Sequence, residues 1–376
     1  MAQAEGGRRP ARAFICGVAG TTLTTAEQAF LERERPWGLI LFARNIDNPE
    51  QVRQLVADFR AIVGRPQAPV FVDQEGGRVR RLRPPHWQDW PPAGALASLF
   101  ARDPLLALEA ARRVTWAMGR ELATLGINVD CLPVLDVPQP GSHEIIGDRA
   151  YGRDPLQVAL LARAALAGLN AAGVAGVLKH VPGHGRAEAD SHLALPVVTA
   201  PREALERVDF LPFAALADVP MAMTAHVVYA AIDPDRPATL SRRVIGDVIR
   251  HRMGFDGLLM TDDLNMKALS GTLEERTRTA LAAGCDVVLH CSGRLEEMEE
   301  VAAATPLLEG KARARAERVK AHLAALPVCT WDEARAETLR QMLMDLAAGP
   351  GENDPTKDGR APEGMAGKPA KPSPTG

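Results

Sequence analysis

The residues best suited to chemistry lie between Val177 and Leu195, after an apolar run that ends at Lys179-His180. Three histidines and one aspartate fall within thirteen residues of this stretch, namely His180, His184, Asp190 and His192. A Pro-Gly-His-Gly turn follows the run and prevents a helix, so we expect these side chains on an irregular loop. Imidazole and carboxylate groups on such a loop can exchange protons near neutral pH.

Two further stretches place carboxylates directly after apolar runs. Asp262 and Asp263 follow Gly257–Met260, and strand alternation directs one of them inward and the other towards the next turn. An aspartate at this position can act as a nucleophile or base, or it can cap the next helix. The other stretch, from Asp73 to Arg81, combines acidic residues, a Gly-Gly pair and three arginines. It suits a clamp for sugar hydroxyls or, alternatively, a loop held by local ion pairs.

Short apolar runs recur along the chain, and most of them precede an amphipathic stretch. The eight runs are Ala13–Val18, Gly38–Phe42, Pro69–Val72, Ile127–Val134, Gly173–Leu178, Met221–Ala225, Gly257–Met260 and Cys285–Leu289. Eight strand–helix units predict an α/β fold, a single (β/α)8 TIM-type barrel with its site at the carboxyl ends of the strands. A doubly wound sheet is the alternative, but no G-x-G-x-x-G follows any run. The longer connection between Asp73 and Ile127 is expected to carry a hairpin or an extra loop.

The chain has a helical pattern from Gly293 to about Ala348, with leucines spaced to cover the barrel. These leucines are Leu323, Leu326, Leu339, Leu343 and Leu346. The last 28 residues contain six Gly and six Pro but no Val, Ile or Leu. Such a segment cannot bury enough apolar surface to offset the entropy of ordering, so we expect a disordered tail. The predicted organisation is a catalytic barrel at 1–348 and a tail at 349–376.

Composition argues against several classes of partner and location. The chain is 46% hydrophobic and 24% charged with a formal net charge of −3, so we expect no nucleic acid and no membrane partner. No run reaches the ~20 apolar residues of a membrane helix. Five scattered cysteines without CxxC spacing indicate reduced thiols in a cytoplasmic protein. Arg8-Arg9 before the first apolar run mimics an export signal, but the run is short and equally suits a first strand.

Four motifs resemble those of the bacterial family 3 glycoside hydrolases, and they occur in the same order. They are D-Q-E-G-G-R-V-x-R from Asp73, G-D-R-A-Y-G-R-D-P from Gly147, K-H-V-P-G-H-G with D-S-H from Lys179, and T-D-D-L-N-M from Thr261. More narrowly, they resemble the β-N-acetylglucosaminidases of cell-wall recycling, and the similarity runs over residues 13–348. One departure lies in the first strand. Many members of the family have an acidic D-V-E-G where this chain has G-V-A-G at 17–20.

The resemblance implies a retaining exo-β-N-acetylglucosaminidase that removes terminal non-reducing N-acetylglucosamine from β-1,4-linked peptidoglycan fragments. It implies that Asp262 is the nucleophile, that His192 is the acid/base and that Asp190 orients His192. The residues that it implies for sugar binding are Asp73, Arg81, Arg149, Lys179 and His180. No cofactor and no metal are implied, and we expect a cytoplasmic monomer acting on GlcNAc-anhydroMurNAc-peptides.

A histidine acid/base departs from the usual pair of carboxyl groups in retaining hydrolysis. It is chemically reasonable because imidazole titrates near neutral pH and a nearby aspartate can fix its tautomer. If His192 does not donate the proton, Glu75 and Glu188 are the next candidates.

Three other functions remain open from the sequence. A metal-dependent TIM-barrel hydrolase would use His180, His184, His192 and Asp262, although the Pro-Gly turn prevents a helical i, i+4 ligand pair. A β-N-acetylglucosaminide phosphorylase would use phosphate instead of water, and a histidine repels an incoming anion less than a carboxylate does. A binding protein without activity would lack the nucleophile or the acid, and neither is missing.

Overall fold

The computed structural model describes residues 10–187 and 194–348 of the chain. Within these ranges the strands are β1 Arg12–Cys16, β2 Pro36–Leu41, β3 Val70–Val72, β4 Val129–Asp130, β5 Ala175–Gly176, β6 Leu178–Val181, β7 Val197–Val198, β8 Met221–Thr224, β9 Val228–Tyr229, β10 Asp233–Pro237, β11 Leu258–Asp263 and β12 Val287–His290. The α-helices are α1 Thr25–Glu34, α2 Pro49–Ile62, α3 Ala93–Phe100, α4 Pro104–Thr124, α5 Pro155–Ala171, α6 Arg202–Ala204, α7 Leu211–Ala215, α8 Leu273–Ala283, α9 Leu295–Ala304, α10 Gly310–Ala325 and α11 Glu333–Ala348. Short 3-10 turns lie at Ala43–Asn45, Gly147–Arg149 and Ala238–Leu240, and π-helical segments at Leu205–Asp209 and Val244–Arg252.

A parallel sheet of nine strands forms the centre of the molecule, in the order β5-β4-β3-β2-β1-β12-β11-β8-β6. The two outer strands, β5 and β6, are consecutive in the chain and are separated only by Val177. The Val177 amide donates to the carbonyl oxygens of Asp130 (3.1 Å) and Leu132 (2.9 Å), so this short gap also pairs with the fourth strand position. The sheet therefore closes into a barrel with eight strand positions, one for each apolar run. The predicted (β/α)8 barrel is confirmed, and the doubly wound alternative is wrong.

Alternate side chains along the strands separate the core into an inner and an outer layer. Ile15, Phe71 and Met260 belong to a cluster that faces the barrel interior. Their neighbours in sequence, such as Phe14 and Val72, pack outward against the surrounding helices. The strands of this barrel are covered on both sides, by the interior and by the helices. Side chains on both faces must therefore be apolar, which explains the nearly continuous apolar runs in the sequence.

Helix α2 illustrates how the sequence specifies the outer layer. Asn48 accepts a hydrogen bond from the Gln51 amide at 3.0 Å, and Pro49 fills the first helical position, where no amide hydrogen is needed. The residues that alternate on one face are buried against the barrel, namely Val52, Leu55, Val56 and Phe59. The helix is the amphipathic stretch that follows the second apolar run, Gly38–Phe42.

The C-terminal helices cover two different parts of the barrel. Ala316 and Val319 of α10 belong to the cluster that fills the barrel interior, so this helix closes the end opposite the strands' carboxyl termini. Helix α11 packs on α3 and α4 through buried Leu339 and Leu343. The predicted helical C-terminal segment is confirmed through Ala348, and the predicted tail lies outside the described residues.

Two features at the carboxyl ends of the strands extend the barrel. The connection after β3 carries a short antiparallel bridge between Gly76 and Val79 and then α3, which agrees with the predicted extra loop. A small sheet in the order β10-β9-β7 was not predicted from the sequence. Within the described ranges, no helix is both long and apolar enough to cross a membrane.

Candidate active site

Three candidate side chains continue the inward-facing pattern of the strands to the carboxyl end of the barrel. Asp73 and Asp262 each lie two residues beyond the interior residues Phe71 and Met260. Lys179 has the same relation to interior Val177. Strand alternation therefore directs all three side chains into the mouth of the barrel, where TIM-barrel enzymes carry their sites.

Asp73 lies at the centre of a buried network of ion pairs. Its two carboxylate oxygens bind Lys179 Nζ and Arg81 Nη2, each at 2.9 Å. Burial alone would raise the pKa of Asp73, but the charges of Lys179 and Arg81 lower it well below its usual value. Asp73 is therefore ionised at neutral pH, as a carboxylate that accepts hydroxyl donors must be.

Glu75 extends this network and was not among the predicted sugar ligands. Its carboxylate binds Lys179 Nζ at 2.6 Å and forms a bidentate pair with Arg149 at 2.8 and 2.9 Å. Burial raises the pKa of Glu75, but Arg149 and Lys179 lower it to about 2. Glu75 is thus ionised and poorly suited to donate a proton, which argues against it as the alternative acid. The sequence signal for this role is the position of Glu75 two residues after Asp73. In an extended segment, alternation directs the side chains of both residues to the same side.

Gln74 holds the loop that brings Arg81 to Asp73. Its buried side-chain oxygen accepts hydrogen bonds from the backbone amides of Arg81 (2.9 Å) and Leu82 (3.1 Å). The Arg81 guanidinium also lies over the Phe42 ring, 5.1 Å from its centroid. Arg81 is therefore held by the Gln74 side chain at its backbone and by the Asp73 carboxylate and the Phe42 ring at its guanidinium.

His180 is oriented by Asp136, a buried residue at the end of the fourth strand position. Asp136 Oδ2 lies 2.7 Å from His180 Nδ1, and Asp136 Oδ1 accepts a hydrogen bond from the His184 amide at 2.7 Å. Burial raises the pKa of Asp136, but His180 and His184 lower it to about 2. Because the ionised carboxylate only accepts, His180 carries hydrogen on Nδ1, and in the neutral ring Nε2 is an acceptor for a ligand hydroxyl.

The two adjacent aspartates of β11 have different environments. Asp262 Oδ1 accepts a hydrogen bond from the Asp263 amide at 2.8 Å. Asp263 Oδ1 accepts from the amides of Asn265 and Cys291, both at 3.1 Å, and so braces the following turn. Burial raises the pKa of Asp263 to about 6. The contacts of Asp263 agree with the predicted turn-directed carboxylate.

His226 supports the end of the Asp262–Asp263 strand, and the sequence indicated it only as a strand-end residue. Its Nε2 lies 3.0 Å from the Asp263 carbonyl oxygen, and its Nδ1 lies 2.7 Å from Thr239 Oγ1. Burial lowers the pKa of His226, and the nearby Asp262 carboxylate opposes this shift. The neutral ring therefore donates from Nε2 to the carbonyl group and accepts from the threonine hydroxyl.

The remaining catalytic candidates, Asp190 and His192, lie outside the described residues, as does Glu188. His184, four residues after His180, is described and buried. Burial lowers its pKa to about 4, although the Asp136 carboxylate opposes the shift. In the described part of the chain, no group of three or more His, Cys, Asp or Glu side chains is arranged to hold a metal ion.

The predicted sugar ligands are therefore brought together at one side of the barrel mouth. Asp73, Arg81, Arg149 and Lys179 form one continuous network through Glu75, while His180 belongs to a neighbouring pair with Asp136. Fixed carboxylates and fixed cations side by side offer acceptors and donors to a ligand rich in hydroxyl groups. Asp262 provides a carboxylate at the same mouth.

Comparison with known proteins agrees with this geometry. Residues 17–322 match the glycosyl hydrolase family 3 N-terminal domain. The β-hexosaminidase of Alkalilimnicola ehrlichii is 44% identical over 283 residues, which cover 74% of this chain and 80% of that protein. The β-hexosaminidase of Bordetella pertussis is 37% identical over 352 residues, covering 90% and 97% respectively.

A solved structure extends the comparison to three dimensions. Native NagZ from Neisseria gonorrhoeae superposes with a TM-score of 0.78 at 32% identity, covering 90% of this chain and 98% of that one. The same Neisseria protein has also been solved with N-trifluoroacetyl-D-glucosamine and, separately, with a zinc ion. The protein described here is a glycoside hydrolase, and its chain belongs to glycosyl hydrolase family 3.

Proposed function

We propose that this protein is a retaining exo-β-N-acetylglucosaminidase that removes terminal non-reducing N-acetylglucosamine from β-1,4-linked peptidoglycan fragments. The names of its relatives support the reaction on β-hexosaminides, and one of them binds a modified N-acetylated glucosamine. We further propose that it acts as a cytoplasmic monomer in cell-wall recycling, with residues 1–348 as the catalytic domain and 349–376 as an appended tail.

The observation that carries the proposal is the preformed network around Asp73 at the barrel mouth. Asp73 can accept hydrogen bonds from sugar hydroxyls while Lys179 and Arg81 donate to the sugar oxygens. Arg149 is oriented by its bidentate pair with Glu75, and His180 Nε2 supplies a further acceptor. The ion pairs hold these side chains in place before a sugar ring binds. Binding therefore requires little ordering of the site, which favours tight and specific binding of the terminal sugar.

Asp262 is the proposed nucleophile of a double-displacement mechanism. Its carboxylate attacks the anomeric carbon, and the bond from that carbon to the glycosidic oxygen breaks. His192 gives its proton to the departing oxygen, with Asp190 orienting the imidazole. Water then attacks the anomeric carbon of the glycosyl-enzyme, His192 accepts the proton of this water, and the Asp262 carboxylate is released. Two inversions give net retention.

Aryl β-N-acetylglucosaminides test the proposal directly. We expect release of the aryl alcohol and, in early proton NMR spectra, N-acetylglucosamine with the β-anomeric configuration. The same assay with phosphate should give no sugar 1-phosphate, and a chelator should leave the rate unchanged. The matched aryl β-glucoside should be a poorer substrate. Initial α-anomer would contradict retention, a sugar 1-phosphate would establish the phosphorylase, and a chelator-sensitive rate restored by zinc would establish a metal-dependent hydrolase.

The natural substrate needs a second measurement. We expect GlcNAc-anhydroMurNAc-peptides to be cleaved to N-acetylglucosamine and the anhydro-sugar peptide, as followed by mass spectrometry. Turnover of the aryl substrate without turnover of these fragments would support the glycosidase but contradict its assignment to cell-wall recycling.

A further inference from the structure

Arg44 projects from a rigid turn at the rim of the barrel mouth. It lies in the Ala43–Asn45 turn that directly follows β2. The Asn45 side chain anchors this turn, because its nitrogen donates to the carbonyl oxygens of Val18 (2.9 Å) and Gly20 (2.8 Å). Its oxygen accepts from the Phe42 amide at 3.0 Å. The backbone beneath Arg44 is thus tied to the loop after β1.

The Arg44 guanidinium occupies space that two glycines leave open. It donates from Nε to the Val18 carbonyl at 2.9 Å and from Nη2 to the Cys291 carbonyl at 2.5 Å. A Cβ atom at Gly17 would lie 2.7 Å from Nη2 and 2.8 Å from the Cys291 carbonyl oxygen. One at Gly293 would lie 2.4 Å from the Val18 carbonyl oxygen and 2.9 Å from Nη2. Both glycines therefore allow the close approach of the backbone and the Arg44 guanidinium at the ends of β1 and β12.

Within residues 10–187 and 194–348 the hydrogen bonds of this guanidinium all go to carbonyl groups, and it forms no ion pair, although it is a full cation. Its nearby carboxylates, Glu27 and Asp263, are engaged elsewhere. Glu27 accepts from the Ala19 and Thr24 amides, and Asp263 accepts from two other backbone amides. Burial lowers the pKa of Arg44, but an arginine remains protonated at neutral pH. Residues 17–20 of the adjoining loop read G-V-A-G and supply no carboxylate.

Arg44 also lies close to the network that we propose for sugar binding. The guanidinium carbons of Arg44 and Arg81 lie 5.0 and 5.1 Å from the centroid of the same Phe42 ring. The two cations are therefore within roughly 10 Å of each other, about the length of one to two sugar rings beside a shared aromatic wall. Arg81 binds Asp73, whereas the exposed Arg44 forms no ion pair and no hydrogen bond from Nη1 within residues 10–187 and 194–348.

We propose that Arg44 forms a carboxylate-binding subsite for the leaving part of the substrate, an inference that rests on the proposed glycosidase function. The terminal N-acetylglucosamine occupies the Asp73 network, and Arg44 Nη1 binds a carboxylate on the leaving part of the substrate, namely the free lactyl carboxylate of a peptide-free muramic unit or, in a peptide-carrying fragment, a carboxylate of the peptide. A planar guanidinium held by two carbonyl groups presents a fixed pair of donors, which matches the geometry of a carboxylate. Arg44 is therefore a specificity-determining residue for anionic aglycones.

The test compares two disaccharides that differ only in one charge. The first is GlcNAc-β-1,4-MurNAc with its free lactyl carboxylate, and the second is the methyl ester of the same compound. Wild-type protein should have the higher kcat/KM on the acid. In Arg44→Gln, this preference should fall by about tenfold or more, because a charge-assisted hydrogen bond is lost for the acid alone. Arg44→Lys should retain part of it.

The control variant is Arg53→Gln, which removes a positive charge from exposed α2 in the same strand–helix unit. It should leave the acid-to-ester ratio unchanged. If Arg44→Gln lowers kcat/KM equally for the acid and the ester, the proposal is overturned, and Arg44 acts on the N-acetylglucosamine unit or on the fold. If Arg44→Gln lowers kcat/KM for neither substrate, the proposal is overturned as well. Failure of wild-type protein on an aryl β-N-acetylglucosaminide would instead contradict the underlying glycosidase function.

Discussion

At the level of single residues, the distribution of charge assigns different tasks to the carboxylates of the mouth. Asp73 and Glu75 share the ammonium group of Lys179, and each binds its own arginine as well. Two carboxylates and three cations leave one net positive charge in this network. Asp262 accepts a hydrogen bond from the neighbouring Asp263 amide at the end of β11. In the proposed mechanism the network holds the sugar, and Asp262 is the nucleophile.

Substitution of the proposed nucleophile and of the proposed acid should have different consequences. Asp262→Ala should abolish turnover of every substrate, because no glycosyl-enzyme can form. His192→Ala should be severe for natural sugars, with a loss of ~10²–10⁴-fold, but milder in the first step for a dinitrophenyl leaving group that departs without a proton. Stopped-flow release of dinitrophenolate should then show a burst.

Asp190→Asn is the intermediate case, since the imidazole remains but loses its orienting charge. If His192→Ala affects good and poor leaving groups equally and shows no burst, the histidine is not the proton donor. Glu188 would then be the next candidate, because the ionised Glu75 is unsuited to the task.

Glu75 should make folding stability depend on pH in acid. Its pKa is lowered to about 2 in the folded protein, so its contribution is present above the unfolded value near 4.5 and is lost as the pH falls through the folded value. Glu75→Gln removes that contribution and leaves Lys179 and Arg149 with less compensation, at a cost of about 3 kcal/mol near neutral pH.

Chemical denaturation between pH 7 and pH 2 measures this effect. The difference in unfolding free energy between wild type and Glu75→Gln should be largest above pH 5 and should shrink towards pH 2. Glu50→Gln is the matched control, because Glu50 pairs with Arg53 on the exposed face of α2 and should change little. A difference that stays constant with pH would contradict the ionised state of Glu75.

At the level of secondary-structure elements, strand ends are braced by side chains from other connections. His226 follows β8 and contacts the backbone at the end of β11, and Thr239 reaches the same imidazole from the turn after β10. Thr239 Oγ1 also lies 2.8 Å from Thr224 Oγ1 and 3.0 Å from the Ala225 carbonyl. Two strand positions and the small outer sheet are thereby connected beside Asp262, the proposed nucleophile.

Thr239→Val should weaken this brace without changing the shape of the buried site. The valine lacks the hydroxyl, so His226 Nδ1 loses its partner, and leaving a buried polar group unsatisfied costs about 1–3 kcal/mol. We expect a lower melting temperature together with a lower kcat, since the end of β11 carries Asp262. Thr239→Ser keeps the hydroxyl and should restore most of both values. A lower melting temperature with unchanged kcat would restrict the brace to a role in folding.

The sequence predicted the strands and helices that have a regular hydrophobic pattern. It missed strands that can be recognised only from their hydrogen bonds to a partner strand. The eight apolar runs became barrel strands because a strand buried on both faces must be apolar along its length. Strand β10, Asp233–Pro237, is polar and contains two prolines, so only its pairing with β9 reveals it. Asp73, Lys179 and His180 lie at strand ends and could be found by position, whereas Arg81 and Arg149 lie in connections and were singled out only by the family resemblance. The role of Gln74 depends on how the loop up to Leu82 folds back, and that of Asp136 on a contact with a different strand.

At the level of the whole molecule, the two ends of the barrel have different constructions. The mouth is lined by ion pairs, whereas α10 fills the opposite end with apolar side chains that join the barrel interior. Stability and function are thus assigned to opposite ends, as is common in this fold. Helix α11 adds a second apolar contact on the outside, against α3 and α4.

Two truncations test whether α11 and the tail at 349–376 contribute to the stability of the barrel. Removing 349–376 should leave the melting temperature and the aryl-glycosidase rate nearly unchanged, because that segment has no Val, Ile or Leu to bury. Removing 333–376 also deletes α11 and exposes the surfaces that Leu339 and Leu343 cover. Loss of these two buried leucines alone costs roughly 3–6 kcal/mol, so the melting temperature should fall by several degrees or more. A comparable fall in the shorter truncation, measured by calorimetry, would show that the tail packs on the barrel.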